Sequence, residues 1–260
     1  MTATAPATRV SARPRLSTLD RSTLMRLAAT EYDRFANMLA TLSEQDWTQA
    51  TDCPGWDVRT MASHVLGMAE MAASVPRGIS QAVRAKKRGG VFIDALTAVQ
   101  VEARTNMSAQ QLIDRMQLVG PRAARARRRI PGMVRNRRLP IPQPVGTHDE
   151  DWTIGYLTDT ILTRDTWMHR IDISRATNRP LELSADHDGV LTSDVAHEWA
   201  ARHGAPCELH LTGTAGGTWT FGDGSSGDGG ELLVIDAIDF NRTVSGREQG
   251  TNLLQTAVPF

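Results

Sequence analysis

The residues best suited to chemistry are an aspartate and a histidine that stand four positions apart, Asp165 and His169. They fall in residues 152–176, where apolar side chains recur at the spacing of a helix. At this spacing two side chains leave one helix face a turn apart, as in helical zinc sites, so both can reach one metal ion. Asp172 lies on the same stripe. The alternative is an ion pair or hydrogen bond on the helix surface.

A third candidate ligand, His64, lies much earlier in the chain. Residues 58–73 predict a helix, because Asp57 is placed to cap it and apolar residues repeat along it. His64 falls on the face that should meet other helices. It is either a satisfied core side chain or a ligand that converges with the Asp165–His169 pair.

The elements that must position these residues are predicted to be four main helices. They cover about residues 20–42, 58–73, 92–104 with a possible extension to 118, and 152–176. The arginine-rich run 122–138 is cut by prolines and lacks the aromatic residues that stack on bases. We interpret it as a solvated, partly mobile connection, or alternatively as a site for an anionic small molecule. Residues 19–176 thus predict a four-helix bundle with one long connection.

The remaining residues, 177–260, predict a small α+β domain. The expected elements are a helix at 186–203, strands at 207–213, 218–221 and 232–235, a short helix at 237–244 and an extended segment at 253–260. The stretch 222–227 matches the glycine pattern of dinucleotide-binding loops, but no helix opens after it, so we predict a flexible loop. Residues 1–18 predict a disordered tail.

Composition excludes several classes of function. The 260 residues are 40% hydrophobic with a formal net charge of +0, so no global field attracts nucleic acid or an anionic membrane. No apolar run approaches the roughly 20 residues that span a bilayer, and no signal-peptide core is present at the start. Cys53 and Cys207 are far apart. These features predict a reduced, cytoplasmic protein without nucleic-acid or membrane partners.

Several motifs together resemble the mycothiol-dependent maleylpyruvate isomerase family. They are CPGW at 53–56 followed by Asp57, Val58 and His64; LTRDTWMHRIDISRATNRP at 162–180; DAIDFNRTVSGR at 236–247; and the closing VPF. The resemblance covers about residues 20–260. It implies a DinB-like four-helix bundle followed by a small α+β domain similar to sterol-carrier proteins.

The resemblance also implies a metal site and a thiol cofactor. A divalent metal, usually zinc, is expected on His64, Asp165 and His169, although many relatives carry Glu where this chain has Asp165. Mycothiol is the implied thiol. Arg247 matches a family motif and is a candidate catalytic or cofactor-binding residue that anchors mycothiol or an acidic substrate; its alternative is a structural salt bridge.

Two further residues near the site have open interpretations. Asp172 is a candidate catalytic residue that orients His169 or a neighbouring arginine, and its alternative is a surface ion pair with Arg175. Cys53 is expected to be a packed side chain rather than a nucleophile.

Three protein ligands leave an open position on the ion, which suits catalysis. A thiol bound there loses its proton and can attack a small electrophilic substrate. The outcome is cis–trans isomerisation if the thiol leaves again, or S-transfer if the adduct persists. The rival interpretation is a non-catalytic protein that binds a small ligand and has a structural or vestigial metal.

Overall fold

The computed structural model describes residues 17–222 and 230–260, whose contacts form two compact units. The helical unit comprises Arg21–Pro131 and Thr158–Glu182. The sheet unit comprises residues 17–20, Gly132–Leu157 and the described part of Leu183–Phe260. The predicted tail, apart from its last two residues, and the predicted glycine loop, apart from Gly222, lie outside the described residues.

The helical unit contains the predicted bundle. Its helices are α1 (Arg21–Ala40), α2 (Val58–Ala73), α3 (Val75–Arg88), α4 (Phe92–Glu102), α5 (Ala109–Arg129) and α7 (Leu162–Thr177), with a short 3-10 turn at Asp46–Thr48. A π-helical turn, Tyr156–Ile161, leads into α7. The core lies where α1, α2, α5 and α7 meet, because their apolar stripes are withdrawn from water there. It includes Phe35, Leu39, Met61, Leu66, Leu112, Met116 and Ile173.

The sequence predictions for the middle of this unit were partly wrong. The third predicted helix, about residues 92–104, is confirmed as Phe92–Glu102. Its possible extension to 118 is wrong, because a separate helix begins at the capping box of Ser108 and Gln111. The basic residues Arg84, Lys86, Lys87 and Arg88 lie on a helix, α3, which was not predicted. The third helix of the bundle is therefore α5, while α3 and α4 pack against α2.

We interpreted the arginine run 122–138 as a solvated, partly mobile connection. Its first part, up to Arg129, is instead the C-terminal end of α5. That interpretation was wrong because it overlooked the small apolar residues between the arginines, which put one face of the helix into the core. Arg127 is 1% exposed. Its guanidinium donates hydrogen bonds to the Tyr32 hydroxyl at 3.2 Å and the Thr163 hydroxyl at 2.6 Å. The cation is thus part of the packing of the bundle.

The sheet unit contains the predicted strands and short helix. Its elements are α6 (Gly132–Arg135), β1 (Gln143–Val145), β2 (His148–Glu150), α8 (Val190–His203), β3 (Cys207–Thr212), β4 (Gly217–Phe221), β5 (Glu231–Asp236) and α9 (Ala237–Val244). A π-helical turn, Ala185–Gly189, precedes α8, and the expected extended end contains a 3-10 turn at Asn252–Gln255. The strand order is β4-β3-β5, with β4 antiparallel and β5 parallel to β3. Trp199 and Phe240 pack on the apolar face of this sheet.

The fold class predicted from the sequence is confirmed: a helical N-terminal part is followed by a small part that contains the three-stranded sheet. Residues 132–157 interrupt the helical unit and make their contacts within the sheet unit. Among the described residues, no helix is long and apolar enough to cross a membrane.

Candidate metal centre

A closed loop and a helix cap fix the position of His64. Ala50 and Asp57 form an isolated antiparallel bridge, which closes the loop that holds the CPGW motif. The Asp57 carboxylate accepts a hydrogen bond from the backbone N–H of Thr60 at 2.7 Å, which caps the start of α2. His64 lies in the middle of that helix and is 5% exposed.

The other two candidate ligands lie one turn apart on α7. The Nε2 atom of His169 is 3.4 Å from the Oδ1 atom of Asp165. His169 is 5% exposed, and the Asp165 side chain is 17% exposed. The helix continues to Thr177 and ends at Asn178, which has the left-handed backbone conformation that commonly terminates helices.

His64, Asp165 and His169, the three candidate ligands, converge on one place in the structure. The Nε2 atom of His64 is 3.6 Å from Asp165 Oδ1, and the ligand atoms of all three residues lie within 4.8 Å of one another. Tetrahedral zinc with bonds of about 2.0–2.1 Å separates its ligands by about 3.3 Å. Two neutral imidazoles and one carboxylate are also a donor set that suits zinc. The residues present therefore fit a divalent cation.

A second observation supports that fit. The Oδ2 atom of Asp165 is buried and has no hydrogen-bond partner within the described residues. A buried carboxylate oxygen without a partner is costly, so such atoms usually face a proton donor, a water or a cation. A cation held by Asp165 and the two histidines would relieve that cost.

The second nitrogen of each imidazole has its own acceptor. His64 Nδ1 is 3.0 Å from the amide oxygen of Gln100, and His169 Nδ1 is 3.2 Å from Asp172 Oδ2. An amide oxygen and a carboxylate oxygen can only accept, so each Nδ1 must carry the proton and donate it. In the neutral rings the lone pairs are therefore on the Nε2 atoms, which face Asp165.

Protonation of the pair depends strongly on its surroundings. Burial would raise the pKa of Asp165, but the charge of His169 and hydrogen bonds to His169 and His64 outweigh burial, so this pKa lies well below 3.8. Burial lowers the pKa of His169, yet Asp165 and the hydrogen bonds to Asp172 and Cys53 raise it well above 6.5. In the metal-free protein, a proton on His169 therefore occupies the place that a cation would take.

The CPGW loop forms one wall of the site. The ring centroid of Trp56 is 5.3 Å from that of His64 and 5.8 Å from that of His169. Cys53 is half-buried, and its thiol lies 3.8 Å from Asp172 Oδ2. Cys53, His169 and Asp172 also lie at distances that a metal could bridge. Because His169 Nδ1 carries the proton that Asp172 accepts, this nitrogen has no lone pair to offer a metal at this second cluster.

The remaining predicted residues have these positions. Arg175 pairs with Asp52 at 3.1 Å, while Asp172 contacts His169. Arg247 lies in the sheet unit, in the turn after α9, and its backbone N–H donates to the carbonyl oxygen of Arg242. Its predicted role in catalysis or cofactor binding stays a prediction.

Sequence reasoning missed two residues that contact the imidazoles, Trp56 and Gln100. A signal for Gln100 existed, because this glutamine shares the buried stripe of α4 with Leu96 and Val99. A polar side chain on an apolar stripe usually has a polar partner in the core. Trp56 was quoted only as part of a motif, since no spacing rule links an aromatic residue in a loop to a metal ligand.

Comparisons with known proteins identify the family of the chain and the fold that it resembles. The family described as mycothiol maleylpyruvate isomerase N-terminal domain matches residues 28–174, more than half of the chain. The fold is similar to a crystal structure of the mycothiol-dependent maleylpyruvate isomerase, with TM-score 0.56 and 13% identity, covering 88% of this chain and 90% of that one. A mutant of that isomerase gives TM-score 0.52 and 12% identity with the same coverage. No curated protein matches the chain. The chain thus belongs to the mycothiol maleylpyruvate isomerase family.

Proposed function

We propose that this protein is a metal-dependent enzyme that activates mycothiol, a low-molecular-weight thiol, for addition to a small electrophilic substrate. The observation that carries the proposal is the convergence of His64, Asp165 and His169, with a buried carboxylate oxygen of Asp165 that has no hydrogen-bond partner among residues 17–222 and 230–260. Membership in the family supports mycothiol as the thiol. Zinc is the proposed ion because of the nitrogen and oxygen donors.

The protein residues have distinct tasks in this proposal. His64, Asp165 and His169 would hold the ion through two nitrogen atoms and one oxygen atom. When bound, a divalent ion lowers the pKa of a coordinated thiol, so that the thiol is a nucleophile at neutral pH. Asp172 accepts the Nδ1 proton of His169 and thereby keeps the ring oriented with Nε2 toward Asp165. Trp56 covers the two rings on one side and limits the approach of water.

The reaction itself has two proposed outcomes. Addition of the thiol to an unsaturated carbon, rotation about the resulting single bond and departure of the thiol give a cis–trans isomerisation without net consumption of thiol. A stable adduct gives an S-transferase instead. We propose that Arg247 anchors an acidic group of the thiol or the substrate. A cytoplasmic location and the lack of nucleic-acid partners stay predictions.

The test compares the wild type with His64→Ala and, as a matched control, with His210→Ala, which replaces an exposed histidine of β3. We expect the wild type and the control to retain bound metal after purification, and His64→Ala to lose it. A thermal shift on addition of mycothiol should occur in the metal-loaded protein and disappear with a chelator. If His64→Ala keeps its metal, the proposed site is wrong. Metal retention without any mycothiol response would instead favour a binding protein with a structural ion.

Isomerase and transferase are separated by the stoichiometry of the thiol. With an electrophilic cis-unsaturated acid as the probe substrate, an isomerase turns over many equivalents while the free thiol concentration stays constant. A transferase consumes one thiol for each product. Both proposed reactions, isomerisation and S-transfer, require the metal-loaded protein. We therefore expect His64→Ala to lose turnover in either case.

A further inference from the structure

We propose that Gln100 is a positioning residue that fixes the ring orientation and tautomer of His64, and that Gly67 supplies the space that this contact needs. The inference rests on the proposed function, because it assigns how one of the metal ligands is held. Gln100 lies on α4, outside the motifs that carry the family resemblance. Its contact to His64 on α2 joins residues that are far apart in sequence.

The amide of Gln100 is fixed by its own partners. The residue is 0% exposed. Its Nε2 group donates hydrogen bonds to the Gln81 amide oxygen at 2.9 Å and to the sulfur of Met68 at 3.1 Å. Since both donor hydrogens point at these acceptors, the amide oxygen must face the remaining neighbour, His64. The oxygen cannot donate, so the proton of the neutral imidazole is held on Nδ1 and the lone pair on Nε2.

Gly67 makes this approach of α4 to α2 possible. A Cβ atom at this position would be 2.6 Å from both Cβ and Cγ of Gln100, which is far closer than carbon atoms can pack. Glycine is unfavourable inside a helix compared with alanine, so a reason for it should exist here. Any side chain at position 67 would displace the stem of Gln100, and the amide oxygen with it.

The third member of the arrangement is Gln81 on α3. Its amide nitrogen donates to the carbonyl oxygen of Gly67 at 3.2 Å, while its amide oxygen accepts from Gln100. Gly67, Gln81 and Gln100 thus link α2, α3 and α4 through a partly buried chain of hydrogen bonds that ends on His64. The hairpin of α3 and α4 has no metal ligand of its own, yet it determines the orientation of one.

The two imidazoles therefore have acceptors of different charge. Asp172 offers a carboxylate to His169, and Gln100 offers a neutral amide to His64. Acceptors of this kind orient metal-bound imidazoles and tune their basicity, and their loss typically weakens metal binding by about 10- to 100-fold. We expect Gln100 to act in this way, with a neutral acceptor that adds no further negative charge to the site.

The test measures zinc affinity by competition with a chromophoric chelator in folded variants. Gln100→Leu removes the acceptor at similar volume and should weaken zinc binding by about 10- to 100-fold. Gln100→Glu keeps an acceptor and should restore the wild-type affinity or exceed it. Gly67→Ala adds only a methyl group and should weaken binding as well. The matched control is Val99→Ala, which truncates the buried neighbour of Gln100 on α4 and should leave zinc affinity unchanged.

A direct readout of the tautomer completes the test. In the zinc-loaded wild type, imidazole nitrogen NMR should show the His64 proton on Nδ1, and this measurement holds even if Gln100→Leu does not fold. Equal zinc affinity of Gln100→Leu and Val99→Ala, or a His64 proton on Nε2, would overturn this inference alone. A wild type that binds no zinc would overturn the proposed function together with it.

Discussion

Arg170 and Glu31 form a bidentate ion pair with both side chains 1% exposed, in which Nε lies 2.7 Å from Oε1 and Nη2 lies 3.2 Å from Oε2. Arg170 follows His169 on α7, and Glu31 lies on α1, so the pair links these two helices next to the candidate metal centre. Glu31→Ala should lower the free energy of unfolding by about 3–5 kcal/mol, because it leaves a buried guanidinium without its counter-charge. Urea unfolding measures the change. Glu102→Ala, which breaks the exposed pair with Arg88, should cost less than about 1 kcal/mol; equal effects would contradict the argument.

The contact between His169 and Asp172 predicts a defect in metal binding. Asp172→Asn removes the carboxylate that accepts the Nδ1 proton, so zinc affinity should fall by about 10- to 100-fold. Chelator competition measures this change. Asp52→Asn is the control, because it alters an exposed carboxylate outside α7 that pairs with Arg175, a residue of the same helix as Asp172. Unchanged affinity in Asp172→Asn would leave that residue without an orienting role.

The shifted pKa values predict how the metal-free protein responds to pH. The pKa of Asp165 is lower in the folded state, so its contribution to stability is complete above about pH 3.8 and is lost as the pH falls toward the folded value. The pKa of His169 is higher in the folded state, so its contribution is complete below about pH 6.5 and is lost as the pH rises through the folded value. The pair therefore stabilises the fold most between these two limits.

Urea unfolding of the chelator-treated protein across the pH range measures this dependence. The control is Asp165→Asn, which should reduce the decline at high pH, because His169 then loses the carboxylate beside its Nε2 atom and keeps only Asp172. Zinc must displace the proton from His169, so zinc affinity should rise with pH until the folded pKa of His169 is passed. A zinc affinity that is flat above pH 6.5 would show that no such proton is displaced.

The corrected position of α5 predicts different roles for two neighbouring arginines. Arg127→Ala should destabilise the protein by about 2 kcal/mol or more, because the buried hydroxyl and carbonyl groups that it contacts lose their donor. Arg128 is exposed, and Arg128→Ala should change stability by less than about 0.5 kcal/mol. Thermal or urea unfolding distinguishes the two. Similar small effects would restore the view of this run as a solvated segment.

The proposed role of Arg247 predicts a binding defect that leaves the metal in place. Arg247→Ala removes a cation that would hold an acidic group of the thiol or substrate. A charge-assisted hydrogen bond contributes about 1.5–3 kcal/mol, so KM for the affected ligand should rise about 10- to 100-fold. Zinc content should not change. Arg138→Ala, which alters an exposed arginine of the sheet unit, should behave like the wild type. Normal KM values in Arg247→Ala would support the structural alternative.

The ligand set could be predicted because each part follows from a local rule. Spacing of four on a helix aims Asp165 and His169 at one point, and the cap at Asp57 fixes where the helix of His64 begins. The strands β3 and β4 were predicted from a similar short-range signal, the alternation of apolar and polar residues. That His64 meets Asp165 and His169 was one of two interpretations of its helix face, and the family resemblance favoured it.

The predictions that failed concern interactions distant in the chain. The arginines of α5 suggested a solvated segment, because nothing near them in sequence indicates that Tyr32 and Thr163 accept from Arg127. The contact of Gln100 with His64 depends likewise on a glycine three residues after that histidine. Secondary-structure propensity depends on the neighbours of a residue along the chain. These contacts join residues of different helices, so propensity could not predict them.

The helical unit is made of two segments of the chain, separated by residues 132–157 of the sheet unit. This arrangement limits where the chain can be truncated without disrupting a unit. A fragment that stops at residue 176, where the sequence suggested that the bundle ends, would still carry residues 132–157, which belong to the same compact unit as residues beyond the cut. It would lose contacts such as the ion pair of Glu150 with Arg202. Such a fragment would expose apolar surface of residues 132–157 and should aggregate when expressed alone. During synthesis, likewise, His64, Asp165 and His169 cannot come together until α7 has left the ribosome, which happens after residues 132–157 have emerged.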